Sequence, residues 1–448
     1  METGDKIELN IVDLSSDGRG IGKTDGLAVF VSSQETPRPM PGDTIAAEIT
    51  RKSRRYADAK MLKFIAESPD RAAPFCGQAG LCGGCPLQEM RYGAQLLLKG
   101  KQLKDKLERI AGLQNPDVLP VLGMDEPLRF RNKAKMPVSP DGAGFYHAKS
   151  HKVVDCLTCP VSAPPAEVLL GALRGFMKEY RVPAYDAATD KGLIHRLTVR
   201  TAEYTGEVMA VVAASGGSIP NYRKLIEIMD NAVEGIPDGA YSLESVFLNS
   251  TLLAGKPTIT DQISALNLEI SPSSFYQVNT KMTRHLYDLV LRYAGLNGNE
   301  TVLDICCGVG AIGLLCAANS HEVIGIESEK ETVNDANRNA VINGITNIRF
   351  IRGKAEEQLP ALLESGHKAD VAILDPPRAG CKPELLKAVA SANPKRVVYV
   401  SCDPATLARD VKILSGLGYT FREASSVDMF PHTMHLEVVA LLQRPDIL

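Results

Sequence analysis

The sequence predicts a multidomain α/β protein with a small N-terminal β-barrel, a central α+β region and a C-terminal doubly wound sheet. Short apolar strands separated by glycine turns open the chain, a group of cysteines follows, and strands alternate with helices from residue 271 onward. With 448 residues, 44% of them hydrophobic, the chain can fill two or three domains. We place these domains at residues 1–65, 66–270 and 271–448.

The N-terminal region is typical of a five-stranded barrel of the OB type. Its strand candidates alternate apolar and polar residues and are punctuated by glycine turns at 17–22 and 41–43. These candidates are residues 6–14, 27–31, 44–50 and 56–65. A helix is predicted over 89–111, whereas residues 112–270 alternate strands and helices without a chemical motif.

The charge distribution favours an anionic partner in spite of a formal net charge of -3. Within residues 51–63, only Asp58 opposes six basic side chains: Arg51, Lys52, Arg54, Arg55, Lys60 and Lys63. A second basic set alternates along one strand: Arg129, Arg131, Lys133 and Lys135. Alternation at period two places these four on one face, where they repel one another unless solvent or an anion neutralises them. An RNA backbone is a natural candidate.

Three closely spaced cysteines, Cys76, Cys82 and Cys85, predict a metal site. Four soft ligands normally close such a site, and Cys156 and Cys159 are the candidates for the fourth. Thiolate sets bind both iron–sulfur clusters and zinc, so spacing alone leaves both open. Residues 1–6 lack the features of a secretory signal, so a reducing cytoplasm is expected and a disulfide framework is disfavoured. No apolar stretch approaches the ~18 residues of a membrane helix.

A glycine-rich turn in the C-terminal region predicts a nucleoside cofactor. The strand pattern at 301–305 leads into the turn at 307–313, and a second strand ends on Glu327, nineteen residues after Gly308. An acidic side chain there can accept hydrogen bonds from ribose hydroxyls. Because Gly308, Gly310 and Gly313 also match the dinucleotide fingerprint, a nicotinamide or flavin oxidoreductase is an alternative.

Three further polar side chains lie at the ends of predicted strands or inside one. Asp375 opens an Asp-Pro-Pro turn, with a simple turn acceptor as its alternative role. Cys402 follows the buried strand 397–400, and although a lone cysteine is usually a packing residue, its Asp-Pro sequel indicates an exposed turn. Glu437 is an isolated charge in an apolar run. Charges are seldom buried without a role or a partner.

These residues closely resemble the uracil-C5 RNA methyltransferase family, which makes 5-methyluridine in transfer RNA and 23S ribosomal RNA from S-adenosylmethionine. The resemblance covers nearly the whole chain and rests on five motifs in the family's order. They are residues 274–279, 304–310, 375–378, 401–404 and 431–437. It implies a TRAM barrel, a central domain with an iron–sulfur site and a Rossmann-like methyltransferase domain.

The resemblance also assigns roles to individual residues. The cofactor contacts would be Gln277, Cys306, Glu327 and Asp375. Cys402 would be the nucleophile and Glu437 the base. A [4Fe–4S] cluster, with zinc as the alternative, would be held by Cys76, Cys82, Cys85 and Cys159. Two departures put contacts in doubt: Cys306 stands where an aromatic residue is usual, and Ala311 replaces a commonly polar residue.

The implied chemistry explains the residue types. Carbon 5 of uracil is a poor nucleophile, so a thiolate first adds to carbon 6, which makes Cys402 the candidate. Its pKa should be lowered by positive charge or local donors, and Arg378 is a candidate for that role. A carboxylate must then remove the proton from carbon 5, which requires Glu437 to approach Cys402 across 35 residues of sequence. The target base must be flipped or unpaired.

The sequence therefore predicts a monomeric, cytoplasmic enzyme that methylates carbon 5 of uridine in RNA, with 23S ribosomal RNA as the favoured target. Transfer RNA is an alternative substrate, and a non-catalytic RNA-binding assembly factor is an alternative function. His432 and His435 are interpreted as structural residues, because nothing at suitable spacing completes a metal site with them. The remaining cysteines are interpreted as packing residues: Cys156, Cys307, Cys316 and Cys381.

Overall fold

A computed structural model describes residues 1–33, 37–148 and 150–445. The N-terminal segment is a closed five-stranded barrel in the order β1-β2-β3-β5-β4. Its strands are β1 (Lys6–Leu14), β2 (Gly20–Thr24), β3 (Leu27–Ser32), β4 (Thr44–Lys52) and β5 (Tyr56–Ala66). Leu9, Val29 and Ile45 fill its core because alternate side chains point inward. The predicted barrel is present, but β2 forms partly where only a glycine turn was expected.

The chain then runs through a cysteine-bearing segment, residues 71–90, without a helix or a strand longer than an isolated bridge. Helix α1 (Tyr92–Lys106) follows and continues as one π-helical turn, Leu107–Ala111. The helix predicted over 89–111 is therefore correct except at its start.

The central region contains a seven-stranded mixed sheet in the order β12-β11-β10-β9-β6-β7-β8. Its elements are β6 (Lys133–Ser139), β7 (Gly142–Tyr146), β8 (Val153–Asp155), α2 (Pro164–Glu179), β9 (Ile194–Thr201), β10 (Glu207–Ala214), α3 (Tyr222–Glu234), β11 (Ser242–Leu248) and β12 (Thr251–Gly255). Helices α2 and α3 pack on one face through an apolar core that includes Leu173, Met229 and Leu197. The opposite face carries Lys133, Lys135 and their neighbours on β9.

A hairpin, β13 (Ile259–Ile263) and β14 (Leu266–Ile270), links the central sheet to the C-terminal domain. Its apolar side chains are buried in the same core as helix α4 and the C-terminal sheet. The hairpin thus packs with the elements that follow residue 271.

The C-terminal domain is a doubly wound sheet with the order β17-β16-β15-β18-β19-β21-β20. Its elements are α4 (Thr280–Ala294), β15 (Thr301–Ile305), α5 (Ala311–Ala317), β16 (Glu322–Glu327), α6 (Lys330–Ile342), β17 (Ile348–Arg352), α7 (Ala355–Glu364), β18 (Val371–Leu374), α8 (Pro383–Ala392), β19 (Arg396–Ser401), α9 (Pro404–Gly416), β20 (Thr420–Val427) and β21 (Glu437–Gln443). Strand β21 is antiparallel to both β19 and β20. The sequence pattern predicts last strands at 427–430 and 436–442; the first is wrong, since β20 ends at Val427, and the second is present as β21.

The strand order reverses between β15 and β18, and open α/β sheets bind ligands at such a switch point. The turns after β15, β16, β18 and β19 therefore converge on one crevice. None of the helices in the described parts of the chain has the length and apolar character required to cross a membrane.

Candidate active site

A cavity of about 590 Å³ lies at the carboxyl ends of the central strands. It gathers side chains from widely separated parts of the C-terminal domain. All six residues predicted as cofactor contacts or catalytic groups line it: Gln277, Cys306, Glu327, Asp375, Cys402 and Glu437. The crevice therefore brings together groups that are up to 160 residues apart in sequence.

Gln277 is held at the cavity wall by the central region. The Asn132 side chain donates to the Gln277 carbonyl at 2.8 Å and to the Thr280 hydroxyl at 2.9 Å, and the Asn132 amide donates to the Val278 carbonyl. Two residues before Gln277, the ring of Phe275 is 63% exposed although it lines the cavity. Phe275 is a site candidate that sequence reasoning missed, although an aromatic residue two positions before a motif glutamine was the available signal.

The turn after β15 requires backbone that most residues avoid. Cys306, Gly308 and Gly310 have φ values of 63°, 56° and 83°, so two glycines relieve strain and Cys306 adopts the left-handed region. A Cβ on Gly310 would approach the ring of Phe350 to 2.6 Å. The glycine turn is thus fixed by packing as well as by conformation, and the thiol of Cys306 lies on the cavity wall.

Glu327 is oriented by backbone amides at the end of β16. One carboxylate oxygen accepts from the Gly308 amide at 3.2 Å, and the other accepts from the amides of Ser328 and Glu329 at 2.6 and 3.0 Å. These bonds hold a carboxylate at the cavity edge beside the glycine turn. Ala311 is buried at the start of α5 and presents a methyl group there, so the departure noted at this position stands.

Two carboxyl groups face each other inside the cavity. Burial raises the pKa of Asp375 to about 7. Burial, and then the neighbouring Asp375 carboxyl, raises the pKa of Glu437 well above its ordinary value. Removing a carboxylate from water disfavours its charge, and a like charge nearby adds to that effect. The cavity therefore holds acids whose ionisation a bound cation would promote.

Cys402 lies at the turn between β19 and α9. The Asp403 side chain caps α9 by accepting from the amides of Ala405 and Thr406 at 2.9 and 3.2 Å. Pairing of Ser401 with Val438 brings the first residue of β21, Glu437, beside Cys402. The predicted approach of these two side chains is therefore present in the fold.

The electrostatic surroundings of Cys402 differ from the expectation. Burial, followed by the carboxyls of Glu437 and Asp375, raises the pKa of the Cys402 thiol from 9.0 to about 11. Arg378 does not offset this, because its guanidinium lies 3.5 Å from the Asp403 carboxylate. The prediction of a lowered pKa is wrong for this structure, since the nearest charged groups are acids.

The cysteines of the central region line a second cavity, of about 390 Å³. All four predicted ligands reach it: Cys76, Cys82, Cys85 and Cys159. Cys156 also lines it, but its thiol donates to the Thr158 carbonyl at 2.9 Å. Backbone amides of Gln78 and Gly84 point at two of the sulfurs, at 3.5 and 3.4 Å. In the described ranges, however, no three His, Cys, Asp or Glu side chains are arranged to hold a metal ion.

Basic residues form part of the same wall. Arg131, Lys133 and Lys135 line the cysteine cavity together. Arg129 does not join them, contrary to the prediction, because it adopts a φ of 53° and its guanidinium binds Glu167. The strand register places Arg200 opposite Lys133, and burial and Arg200 lower the pKa of Lys133 to about 7. Arg196 lies on the same face.

Comparison with known proteins gives these cavities a family context. Residues 258–445 match the tRNA (uracil-5-)-methyltransferase family model, and residues 1–62 match the TRAM domain. An uncharacterized RNA methyltransferase of Caldanaerobacter subterraneus subsp. tengcongensis is 40% identical over 99% of both chains. One from Halalkalibacterium halodurans is 39% identical over 98% of this chain and 97% of its own. This chain belongs to the uracil-5 RNA methyltransferase family.

A solved member of the methyltransferase family supports the fold. The tRNA (uracil-54, C5)-methyltransferase of Pyrococcus abyssi, in complex with S-adenosyl-L-homocysteine, superimposes with a TM-score of 0.75 at 28% identity, covering 97% of this chain and 100% of that one. The chain is thus an RNA methyltransferase with a TRAM barrel and a Rossmann-like domain, and the oxidoreductase alternative loses its support.

Proposed function

We propose that this enzyme uses S-adenosylmethionine to methylate carbon 5 of uridine in RNA through a covalent adduct on Cys402. The observation that carries the proposal is the single cavity that joins a thiol and a buried carboxyl to a glycine turn with an oriented glutamate. A nucleoside cofactor and a pyrimidine can then meet in one enclosed space.

The cofactor side of the cavity suits S-adenosylmethionine. The Glu327 carboxylate, fixed by three backbone amides, is placed to accept from ribose hydroxyls. Gln277, Cys306 and Asp375 complete that wall. When bound, the cofactor supplies a cationic sulfonium methyl group. A positive charge beside Asp375 and Glu437 favours their ionised forms.

The catalytic steps fall to two side chains. The thiolate of Cys402 would add to carbon 6 of uracil and make carbon 5 nucleophilic; bound S-adenosylmethionine would supply the methyl group to carbon 5 and leave as S-adenosylhomocysteine. Glu437 as carboxylate then removes the proton from carbon 5, and the re-formed double bond expels the Cys402 thiolate. A base buried beside the nucleophile is suited to this second step, because it is shielded from solvent until product forms.

The target uridine must leave its stack to reach Cys402. Phe275, exposed at the cavity, offers a ring on which a flipped or neighbouring base can stack. The barrel contributes exposed cations on β4 and β5, and the central sheet contributes Lys135 and Arg196. We propose 23S ribosomal RNA as the substrate. Transfer RNA is the second candidate, since the Pyrococcus abyssi relative acts on uracil 54 of transfer RNA.

The cysteine cavity is proposed to hold a [4Fe–4S] cluster on Cys76, Cys82, Cys85 and Cys159, with zinc as the alternative. The chemistry of the donors fits, since four thiols share one cavity, two sulfurs face backbone amides and three cations line the wall of what would be an anionic centre. A cluster there would organise the segment 71–90. Iron, zinc and acid-labile sulfide analysis of anaerobically purified protein separates the two metals.

The proposed function is tested by mapping 5-methyluridine by mass spectrometry in ribosomal and transfer RNA from a deletion strain and its complements. We expect wild-type protein to restore a defined ribosomal methyluridine and Cys402→Ala to restore none. Cys381→Ala is the matched control, because Cys381 is a buried thiol lining the same cavity, and it should restore methylation. Restoration by Cys402→Ala would refute the nucleophile, and a change confined to transfer RNA would replace the ribosomal substrate.

A further inference from the structure

A buried histidine ties the loop before Glu437 to a distant part of the chain. His432 is 5% exposed in the loop 428–436 that joins β20 to β21, with a φ of 65°. Its amide donates to the Gln95 side-chain oxygen at 3.0 Å, and its carbonyl accepts from the Leu87 amide at 2.9 Å. Every backbone polar group of this residue thus has a partner from the central region.

The ring of His432 is fixed as well. Its Nε2 lies 3.0 Å from the Pro127 carbonyl and must donate there, which leaves Nδ1 as an acceptor. Nδ1 lies 3.2 Å from the Gln95 side-chain nitrogen, which also contacts the Met90 and Leu87 carbonyls at 2.8 and 3.0 Å. Burial lowers the pKa of His432, which agrees with a neutral ring in this tautomer. The expectation of a structural histidine is met, but its partners lie more than 300 residues away in sequence.

The cysteine-bearing segment contacts the same histidine at both ends. The ring of Phe75, directly before Cys76, lies 4.6 Å from the His432 ring. Leu87, two residues after Cys85, supplies the amide that binds the His432 carbonyl. Gln95 contacts both Leu87 and His432, since its side-chain amide also donates to the Leu87 carbonyl at 3.0 Å. Segment 71–90 and the loop 428–436 are therefore joined through His432, so a change in the conformation of the segment would shift the loop.

Helix α1 clamps the start of the same loop one turn further on. The Lys99 ammonium lies 2.6 Å from the Asp428 carboxylate and donates to the Phe430 carbonyl at 3.2 Å. Both charged side chains are almost fully buried, with exposures of 1% and 0%. Because Gln95 and Lys99 are four residues apart, they lie on one face of the helix.

Glu437 depends on this loop because it is the first residue of β21. Its pairing with Val427 is the last of the β20–β21 ladder, so the sheet fixes it on one side only. We propose that Gln95 and His432 are positioning residues that set the Glu437 carboxyl, and that segment 71–90 acts on the same carboxyl through Phe75 and Leu87. This inference rests on the proposed function.

The inference predicts a specific kinetic defect. Loosening the loop displaces the base but leaves Cys402, in the turn after β19, and the cofactor wall in place. Addition and methyl transfer should proceed, whereas removal of the carbon 5 proton slows. A covalent protein–RNA species that already carries the transferred methyl group should accumulate.

The test compares Gln95→Leu with Gln102→Leu on the same helix. The Gln102 amide donates to the Leu14 carbonyl at 2.7 Å and to the Asp13 carboxylate at 3.0 Å, and so ties α1 to the barrel. With a target RNA and labelled S-adenosylmethionine, Gln95→Leu should lower kcat by ~10-fold or more, leave the KM for the cofactor within ~2-fold and accumulate methylated adduct on denaturing gels. Gln102→Leu should keep the wild-type kcat and accumulate no methylated adduct.

Each outcome decides the matter. The positioning role is overturned if Gln95→Leu and Gln102→Leu have equal kcat values and neither accumulates adduct. It is also overturned if the kcat of Gln95→Leu falls because methyl transfer itself is lost. If Gln95→Leu does not fold, Phe75→Leu is tested in its place. Adduct must accumulate in Phe75→Leu, which loses the ring contact to His432, and must not accumulate in Phe75→Tyr, which keeps the ring. If wild-type protein forms no adduct with 5-fluorouridine RNA, the proposed function itself fails and this inference falls with it.

Discussion

Replacing Glu437 by glutamine should make the Cys402 thiol more acidic and more reactive. The wild-type pKa of about 11, against an ordinary 9.0, reduces the thiolate fraction at pH 8 from about 10% to about 0.1%, a factor of ~100. Burial is the largest cause and Glu437 the second, so Glu437→Gln recovers only part of this factor. We expect iodoacetamide to alkylate Cys402 more than ~3-fold but less than ~100-fold faster in the variant at pH 8.

The assay follows the Cys402 peptide by mass spectrometry between pH 7 and 10. Since a thiol with a pKa near 11 gains thiolate about tenfold per pH unit, the wild-type rate should rise through that whole range without a plateau. Glu423→Gln, on the neighbouring strand β20, is the control and should match the wild type. A wild-type plateau below pH 9, or no acceleration in Glu437→Gln, would refute the electrostatic account.

Three further outcomes are expected. Cys159→Ala should lose bound iron or zinc, whereas Cys156→Ala in the same cavity should retain it, as measured by elemental analysis. Lys99→Met should lower the free energy of unfolding by about 3–5 kcal/mol in urea titrations, because it leaves the buried Asp428 carboxylate without its countercharge. Lys135→Ala should weaken RNA binding and reduce the slope of log affinity against log salt by about 1, because one phosphate contact is lost.

Each of these outcomes has a matched comparison. Metal loss in Cys156→Ala but not in Cys159→Ala would exchange their assigned roles. Lys99→Met combined with Asp428→Leu should regain much of the lost stability. If the stability of Lys99→Met alone is within ~1 kcal/mol of wild type, the ion pair does not hold the loop 428–436 in place. Lys224→Ala, on α3 at the opposite face of the central sheet, should leave the salt slope unchanged; an equal effect there would mean that the cations act without regard to position.

The convergence of the candidate site residues on one cavity was predictable because strand ends carry local signatures. Cys402, Asp375 and Glu327 each follow an apolar run, and the rule that parallel strands end at one edge places them together without further information. Glu437 was found from its isolation in an apolar strand, and pairing of β19 with β21 supplied its proximity to Cys402. Local pattern and topology agree at these positions, so the sequence was sufficient.

The errors arise where a distant partner decides the local structure. Residues 428–430 are apolar enough to extend a strand, but Asp428 turns inward to meet Lys99 of α1, and no window of sequence contains both. Strand β2 was missed because its glycines resemble a turn. Gly22 is required inside the barrel, where a Cβ would lie 2.5 Å from the Leu9 side chain. The raised pKa of Cys402 was missed because its causes, burial first and then the acids Glu437 and Asp375, come from other parts of the fold.

The clamp on the loop 428–436 suggests why the central region is built around the cysteine segment. A buried ion pair contributes little net stability compared with apolar residues of similar volume, but breaking it is costly, so its effect is to select one arrangement. Here that arrangement joins α1, segment 71–90 and the loop before Glu437. A proton-removing base must lie within hydrogen-bonding reach of its target, and small displacements reduce the rate steeply. The cluster proposed above would, if bound, act on catalysis without transferring electrons, because it would fix the geometry of the segment that contacts His432.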